Sequence, residues 1–313
     1  MSAIRCERLR KRFGDLHAVD GLTFEVAEGE LFGLVGPDGA GKTTTMRLLC
    51  GLMTPDEGDA WVAGYHVVQD AFSLRDQVGY LSQRFGLYAD LTVLENIRFF
   101  ADLRGEPRTA QEEKIARLLE LTDLKPFGNR LAGALSGGMK QKLSLICALI
   151  HTPQILFLDE PTTGVDPLTR REFWRIIRRL QAEGTTIFLA TAYLEEAEYC
   201  NRLALIHGGR LLAIGTPAEI KGLPPGRIWE IDLVEARKAL HVLQQRLPAA
   251  TVSLFGNRLH LYVSAPDFSS EEVHLAMEEA GLQRYEIRPV PFSLEDVLVY
   301  LLAEAKKAKE PSI

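Results

Sequence analysis

Nine residues constrain this chain more than any others. GPDGAGKTT, Gly36–Thr44, follows the apolar run Leu31–Val35 and leads into TTTMRLLC, which reads as a helix ending near Gly51. A short buried strand, a glycine-rich turn and a helix form the setting in which backbone N–H groups and a helix N-terminus converge on phosphate. Gly36, Gly39 and Gly41 permit the unusual backbone angles and the close approach that this requires. Lys42 is placed to bridge β- and γ-phosphates, and Thr43 to ligate Mg²⁺. Asp38, Ala40 and Thr44 complete the loop that would touch the nucleotide. At average residue frequencies the pattern arises by chance in roughly one chain of this length in a hundred.

A second segment fits the first. Ile155–Pro161 reads ILFLDEP, an apolar strand that delivers two carboxylates to a sheet edge. Asp159 would hold the Mg²⁺ shell, and Glu160 is placed to orient or deprotonate an attacking water. Ile155–Leu158, Thr185–Thr191 and Leu203–His207 read as buried strands. Most of the stretch from Tyr88 to Ile150 reads as helix, with Ile115, Leu118, Leu119 and Leu121 along one stripe. The alternation predicts a doubly wound parallel α/β sheet with its ligand at the carboxyl ends of the strands.

LSGGMKQ, Leu135–Gln141, closely resembles the signature motif of ATP-binding cassette (ABC) proteins. With the phosphate loop and ILFLDEP, the resemblance covers residues 1 to about 222. It implies an ABC-type nucleotide-binding fold: a RecA-like parallel sheet, an antiparallel β subdomain and a helical subdomain. It also implies ATP and Mg²⁺ as ligands, and a dimer that closes on ATP. Within it, Phe13 stands at the position that stacks on adenine, although a core residue of a first strand would look the same. Gln83 matches the glutamine that reaches metal and water. Ser136, Gly137 and Gly138 match the residues that reach the γ-phosphate of a partner cassette, and Asp166 matches the D-loop aspartate.

Arg84–Ile97, RFGLYADLTVLENI, is similar to ATP-binding subunits of ABC-2-type exporters, a family that includes bacterial drug and lipid efflux pumps. There the segment forms a groove for a membrane subunit. Phe85, Leu87, Tyr88 and Leu91 are apolar where a loop is normally polar, which suits a partner site. A self-satisfied helical core is the other reading. The chain departs from the family twice. Ala192 occupies the place of the switch histidine, and a methyl group cannot hydrogen-bond a γ-phosphate. Asp38 stands where the family mostly has Asn or Ser, which adds like charge near the phosphates. Both changes are expected to weaken the chain's own ATP site.

After Leu223-Pro224-Pro225-Gly226, a linker signal, the pattern changes. Trp229, Ile231 and Leu233 alternate with Glu230 and Asp232. Val252–Phe255 and Leu259–Val263 flank a Gly256-Asn257 turn. Leu240, Leu243 and Leu247 mark a helix, and Ser269 with Glu272 a capping box for another. Tyr285–Arg288 reads as a strand and Leu294–Leu302 as a last helix. The order β-α-β-β-α-β-α predicts a small α+β ferredoxin-like domain. The expected organisation is therefore 1–222 cassette, 223–305 accessory domain and 306–313 frayed tail.

No apolar run in the 313 residues approaches the roughly 18 needed to span a bilayer, and the N-terminus lacks a secretion signal. A cytoplasmic chain, peripheral on the inner membrane face through permease subunits, is expected. The net charge of −6 argues against nucleic acid as a partner. Four scattered cysteines read as buried free thiols. Two alternatives stay open: a soluble ABC ATPase unrelated to transport, and a regulatory cassette with little turnover in an asymmetric complex. Homodimer and heterodimer are equally compatible with the sequence.

Overall fold

A computed structural model describes residues 2–83, 86–233, 235–248, 250–264, 270–279, 281–282 and 285–307. Phe85, Ser269 and the tail from 308 onward lie outside the described residues. The chain divides into two compact units, Met1–Thr216 and Pro217–Ile313.

The first unit opens with two long antiparallel strands, β1 (Ser2–Phe13) and β2 (Leu16–Ala27), followed by β3 (Leu31–Val35) and α1 (Lys42–Leu49). β4 (Glu57–Val62) and β5 (Tyr65–His66) join β1 and β2 in an antiparallel sheet of order β2-β1-β4-β5. Then come α2 (Ala71–Gln77), β6 (Val78–Leu81), α3 (Val93–Leu103), α4 (Arg108–Leu121) and α5 (Gly137–Leu149). The unit closes with β7 (Ile155–Asp159), α6 (Pro167–Ala182), β8 (Thr186–Thr191), α7 (Leu194–Ala197), β9 (Arg202–His207) and β10 (Arg210–Gly215). The second sheet has the order β10-β9-β3-β8-β7-β6, parallel throughout except at β10.

β3 and β7 are buried at every position, which is why they read as unbroken apolar runs rather than alternating ones. A ladder of rings joins the two sheets. Phe24 of β2 stacks on Phe32 of β3 at 5.5 Å, Phe32 on Phe188 of β8 at 5.7 Å, and Phe188 meets Phe157 of β7 at 5.5 Å. The parallel register sets Phe32 beside Phe188 and Phe188 beside Phe157, so the ladder follows from strand pairing. The helical stretch α3–α5 is as expected, and Ile115, Leu118 and Leu119 of α4 are buried.

The second unit contains α8 (Pro217–Lys221), β11 (Arg227–Leu233), α9 (Ala236–Arg246), β12 (Ala250–Phe255), β13 (Arg258–Val263), α10 (Ser270–Glu279), β14 (Tyr285–Val290) and α11 (Leu294–Lys307). Its antiparallel sheet has the order β12-β13-β11-β14. Gly256-Asn257 forms the two-residue hairpin turn, with Phe255 opposite Arg258. One sheet face packs Ile231, Leu233, Leu259 and Leu261 with Ala239 and Leu243 of α9 and Val273 and Met277 of α10. The other face is also covered. Glu230 is buried, and His260 beside it meets Asp296 of α11. The boundary falls ahead of the Leu223–Gly226 linker because α8 packs with α11. α11 runs two residues past 305, the end expected for the accessory domain.

Candidate nucleotide site

The phosphate loop leaves the carboxyl end of β3 and enters α1 at Lys42. Two glycines are required by their surroundings. A Cβ on Gly36 would lie 2.2 Å from the Ile206 carbonyl oxygen, and one on Gly41 would lie 2.1 Å from that of Ala18, at a φ of +104°. Lys42 folds back across the loop and is only 4% exposed. Its Nζ donates to the carbonyls of Gly36 at 2.8 Å and Pro37 at 3.0 Å, and lies 3.2 Å from Glu160 Oε1. Asp38 points to solvent, its side chain 94% exposed and 4.0 Å from Lys42 Nζ. Ala40 faces the other way. Its side chain packs in the core, and its N–H donates to the Pro37 carbonyl.

β7 delivers the two carboxylates to different environments. Asp159 is buried and accepts from Thr43 Oγ1 at 2.9 Å and from the Tyr80 hydroxyl at 3.0 Å. Burial raises its pKa above the usual aspartate value, while the two hydroxyl donors oppose that rise. Glu160 sits just past the strand at a left-handed φ of +48°, its N–H held by the Ala190 carbonyl at 2.8 Å. Its carboxylate takes Lys42, Thr163 Oγ1 at 3.2 Å and Gln83 Nε2 at 3.4 Å. The family resemblance directs Gln83 to metal and water. Here its amide reaches the neighbouring glutamate.

A cavity of about 630 Å³ opens over these groups. Asp38, Gly39, Gly41, Lys42, Thr43 and Thr44 form its floor, and Gln83, Glu160 and Thr163 one wall. Phe13, Leu16 and Ala18 form a second wall, with the Phe13 ring half-exposed and Lys11 Nζ 5.9 Å from its centre. Ala192 and Tyr193 complete the lining. The methyl group at the switch position therefore faces the same space as Lys42 and Glu160. Behind it, Thr191 and Thr162 both donate to the buried Glu196, which ties the segment after β8 to the segment after β7. The Arg170 guanidinium sits 4.9 Å from the centre of the Tyr193 ring.

Thr43 and Asp159 offer oxygen donors of the kind that suits Mg²⁺, a hard cation that takes few protein ligands and keeps room for water and phosphate oxygens. No group of three or more His, Cys, Asp or Glu side chains among the described residues could hold a metal by itself. A metal here would need the nucleotide's own oxygens.

The signature residues lie outside this cavity, among the described residues that line it. Ser136 caps α5, its Oγ accepting from the Met139 N–H, and both Ser136 and Gly137 are exposed. Gly138 is buried against α6, where a Cβ would come within 2.1 Å of Thr169 Cγ2. Asp166 caps α6, accepting from the N–H groups of Leu168 and Thr169, and the Thr169 hydroxyl together with these N–H groups holds its pKa low. Sequence reading overlooked Tyr80, Thr163, Leu16 and Tyr193. Only Tyr80, three residues before Gln83 in the strand VGYL, left a usable trace, a phenol in an otherwise small or apolar strand.

A profile described as "ABC transporter" matches residues 19–163. The Escherichia coli (strain K12) protein "Probable multidrug ABC transporter ATP-binding protein YbhF" is 46% identical over 220 residues, covering 70% of this chain and 38% of that protein. The chain thus spans well under half the length of that relative. The Streptomyces coeruleorubidus "Daunorubicin resistance ATP-binding protein DrrA3" is 37% identical over 314 residues, covering 99% of this chain and 98% of that one. A solved "ATP binding subunit of ABC transporter" superposes with a TM-score of 0.64 at 31% identity, over 70% of this chain and 92% of its own. The chain belongs to the ABC transporter ATP-binding proteins.

Proposed function

We propose that the chain is the ATP-hydrolysing subunit of an ABC-2-type exporter, driving transport through ATP-dependent closure of a cassette dimer. One observation carries this reading. Lys42, Thr43, Gln83 and Glu160 converge on one cavity, while Ser136 and Gly137 stand exposed away from it. A cavity without its signature residues, and signature residues without a cavity, are completed by a second cassette.

ATP would lay its adenine on Phe13 and its phosphates on the loop N–H groups. Lys42 would exchange its carbonyl and Glu160 partners for β- and γ-phosphate oxygens. Glu160, freed from that ion pair, would turn to the attacking water, with Gln83 holding its carboxylate from the other side. Thr43 and Asp159 would hold Mg²⁺, whose charge offsets that of the phosphates when it is bound. Asp38 reaches solvent at the cavity mouth, so its charge is better placed to slow nucleotide entry than to touch a phosphate.

The membrane partner would dock on the segment between β6 and α3. Asn96, buried in α3, pins that segment: its side-chain amide bonds the carbonyls of Tyr88, Leu91 and Thr92, and its carbonyl accepts the Tyr88 N–H. The pinned loop leaves Tyr88 48% exposed against Phe99 at 4.7 Å, with Leu103 exposed nearby in sequence on α3. Among the described residues no helix is long and apolar enough to cross a membrane, so a permease subunit would supply the spans. The names of the relatives speak of multidrug transport and daunorubicin resistance.

Ala192 supports a second reading, in which this chain's own ATP site turns over slowly and its signature completes a stronger site on a different cassette. ATPase assays of the purified subunit and of the complex purified from membranes separate the two. In the asymmetric case the subunit alone is slow, and Ala192→His speeds it by up to about 10²-fold, the worth of one added transition-state donor. Full turnover by the wild-type subunit alone would favour a symmetric homodimer. Failure to recover any multi-span protein with the subunit would remove the exporter reading.

A further inference from the structure

Tyr80 on β6 stands between two spaces. Its hydroxyl donates to Asp159 Oδ2 at 3.0 Å, while Thr43 Oγ1 donates to Oδ1 at 2.9 Å. Tyr80 also lines a smaller cavity of about 120 Å³, together with Leu87, Phe100 and Arg104. Gln83, on the nucleotide cavity, follows it by three residues.

We propose that Tyr80 is a positioning residue for the metal-holding carboxylate: its hydroxyl fixes the rotation of Asp159, so that Oδ1 stays turned to Thr43. This rests on the reading in which Thr43 and Asp159 hold Mg²⁺. A carboxylate turns about its terminal torsion with a broad, roughly two-fold preference. A single donor on one oxygen leaves that rotation loose. Donors on both oxygens, from two different elements, set it. Asp159 is 1% exposed, so water does not compete for the second oxygen as it would at the surface. Donors that orient a metal-binding carboxylate are typically worth about 10- to 100-fold in metal affinity. Tyr80 shares that smaller cavity with Leu87, in the segment that the exporter reading assigns to a membrane partner.

The test uses the full chain and measures equilibrium affinity for ADP twice, once with Mn²⁺ and once with EDTA. The ratio of the two reports the metal's contribution without any turnover. Tyr80→Phe keeps the ring and removes the hydroxyl. It is expected to leave ADP affinity in EDTA unchanged and to reduce the Mn²⁺ ratio by about tenfold. In an Asp159→Asn background the same change should have no further effect, since Tyr80 acts only through Asp159. An unchanged ratio in Tyr80→Phe, with a reduced one in Asp159→Asn, would overturn the positioning role and leave the metal site standing. An unchanged ratio in Asp159→Asn itself would instead overturn the metal-site reading beneath it. A Tyr80→Phe effect of equal size in both backgrounds would show that the hydroxyl works through the general fold, and the proposal would fail. If Tyr80→Phe does not fold, Tyr80→Leu, which also lacks the donor, enters the same cycle with the same outcomes.

Discussion

Two clusters of buried charge, one in each unit, use carboxylates in opposite ways. Beside the nucleotide cavity, Asp159 has two neutral hydroxyl donors and, among the described residues, no cation bonded to it, and burial raises its pKa. Glu160 is held by Lys42, itself spread over two carbonyls. In the second unit, Glu230 accepts from Arg288 at 2.6 Å and from Arg258 at 3.3 Å, and faces His260 at 3.5 Å. The Arg288 guanidinium holds the Glu230 carboxyl below its ordinary value. Burial pushes the Asp296 carboxyl up, but His260 and Ser293 outweigh it and keep it low. His260, bonded to Asp296, is raised in turn. The first cluster is under-supplied with positive charge and keeps capacity for an incoming ligand. The second is saturated and serves as a staple between the sheet and α11. Burial of charge alone therefore does not identify a reactive site. The shortfall of partners does.

The largest expected effect tests the first cluster. Lys42→Ala should weaken ATP binding by roughly 10²-fold or more, because the positive charge facing the β- and γ-phosphates disappears. Unaltered affinity in an equilibrium titration would mean that the cavity binds something else. Glu160→Gln should act in the opposite sense on binding. It removes the carboxylate that holds Lys42 at rest, so ATP affinity rises by roughly threefold or more while hydrolysis falls. An affinity that falls would show that the resting ion pair organises the site instead of competing with phosphate.

The second cluster should answer only in stability. Glu230→Ala removes the hub and should lower the unfolding midpoint of the second unit by about 5 °C, with ATP affinity unchanged. A shift in nucleotide binding would break the contrast between the clusters. The smallest effect is in pH. His260 has a raised pKa in the fold, so the stability it contributes is fully present below its ordinary value of 6.5 and fades as pH rises through the raised one. Melting curves from about pH 6 to about pH 9 should show that loss in the wild type and a flatter profile in His260→Gln. Equal profiles would leave His260 as a packing residue.

The cassette was largely legible because its strands are buried on both faces and its loop chemistry is local. Leu31–Val35, Ile155–Asp159 and the phosphate-loop helix could be read to within a residue, since strand, turn and helix follow one another without gaps. The β-α-β-β-α-β-α order that follows α8 was visible for a different reason, the alternation along its strands and the Gly256-Asn257 turn. What escaped were side chains whose partners are distant in sequence. Tyr80 meets Asp159 across 79 positions, and Glu230 meets Arg288 across 58. Alternation placed Glu230 opposite the core but gave no sign that α11 would cover that face. Asn96 reads as an ordinary polar helix residue, although it shapes the whole loop from Tyr88 to Thr92.

Gly138 carries a consequence for genetics. The backbone of α5 meets the Thr169 side chain so closely at this point that a single added carbon would have to shift that side chain or the helix that carries it. Asp166, three residues before Thr169, anchors the start of α6 and would be dragged along. Any bulkier residue at Gly138 therefore disturbs two motifs at once, and an inactive variant there is first a report of a wedge between helices. Ser136 is exposed, with its hydroxyl accepting from the Met139 N–H, so in the proposed cassette dimer it is the position where loss of activity would speak for a contact with the opposing nucleotide.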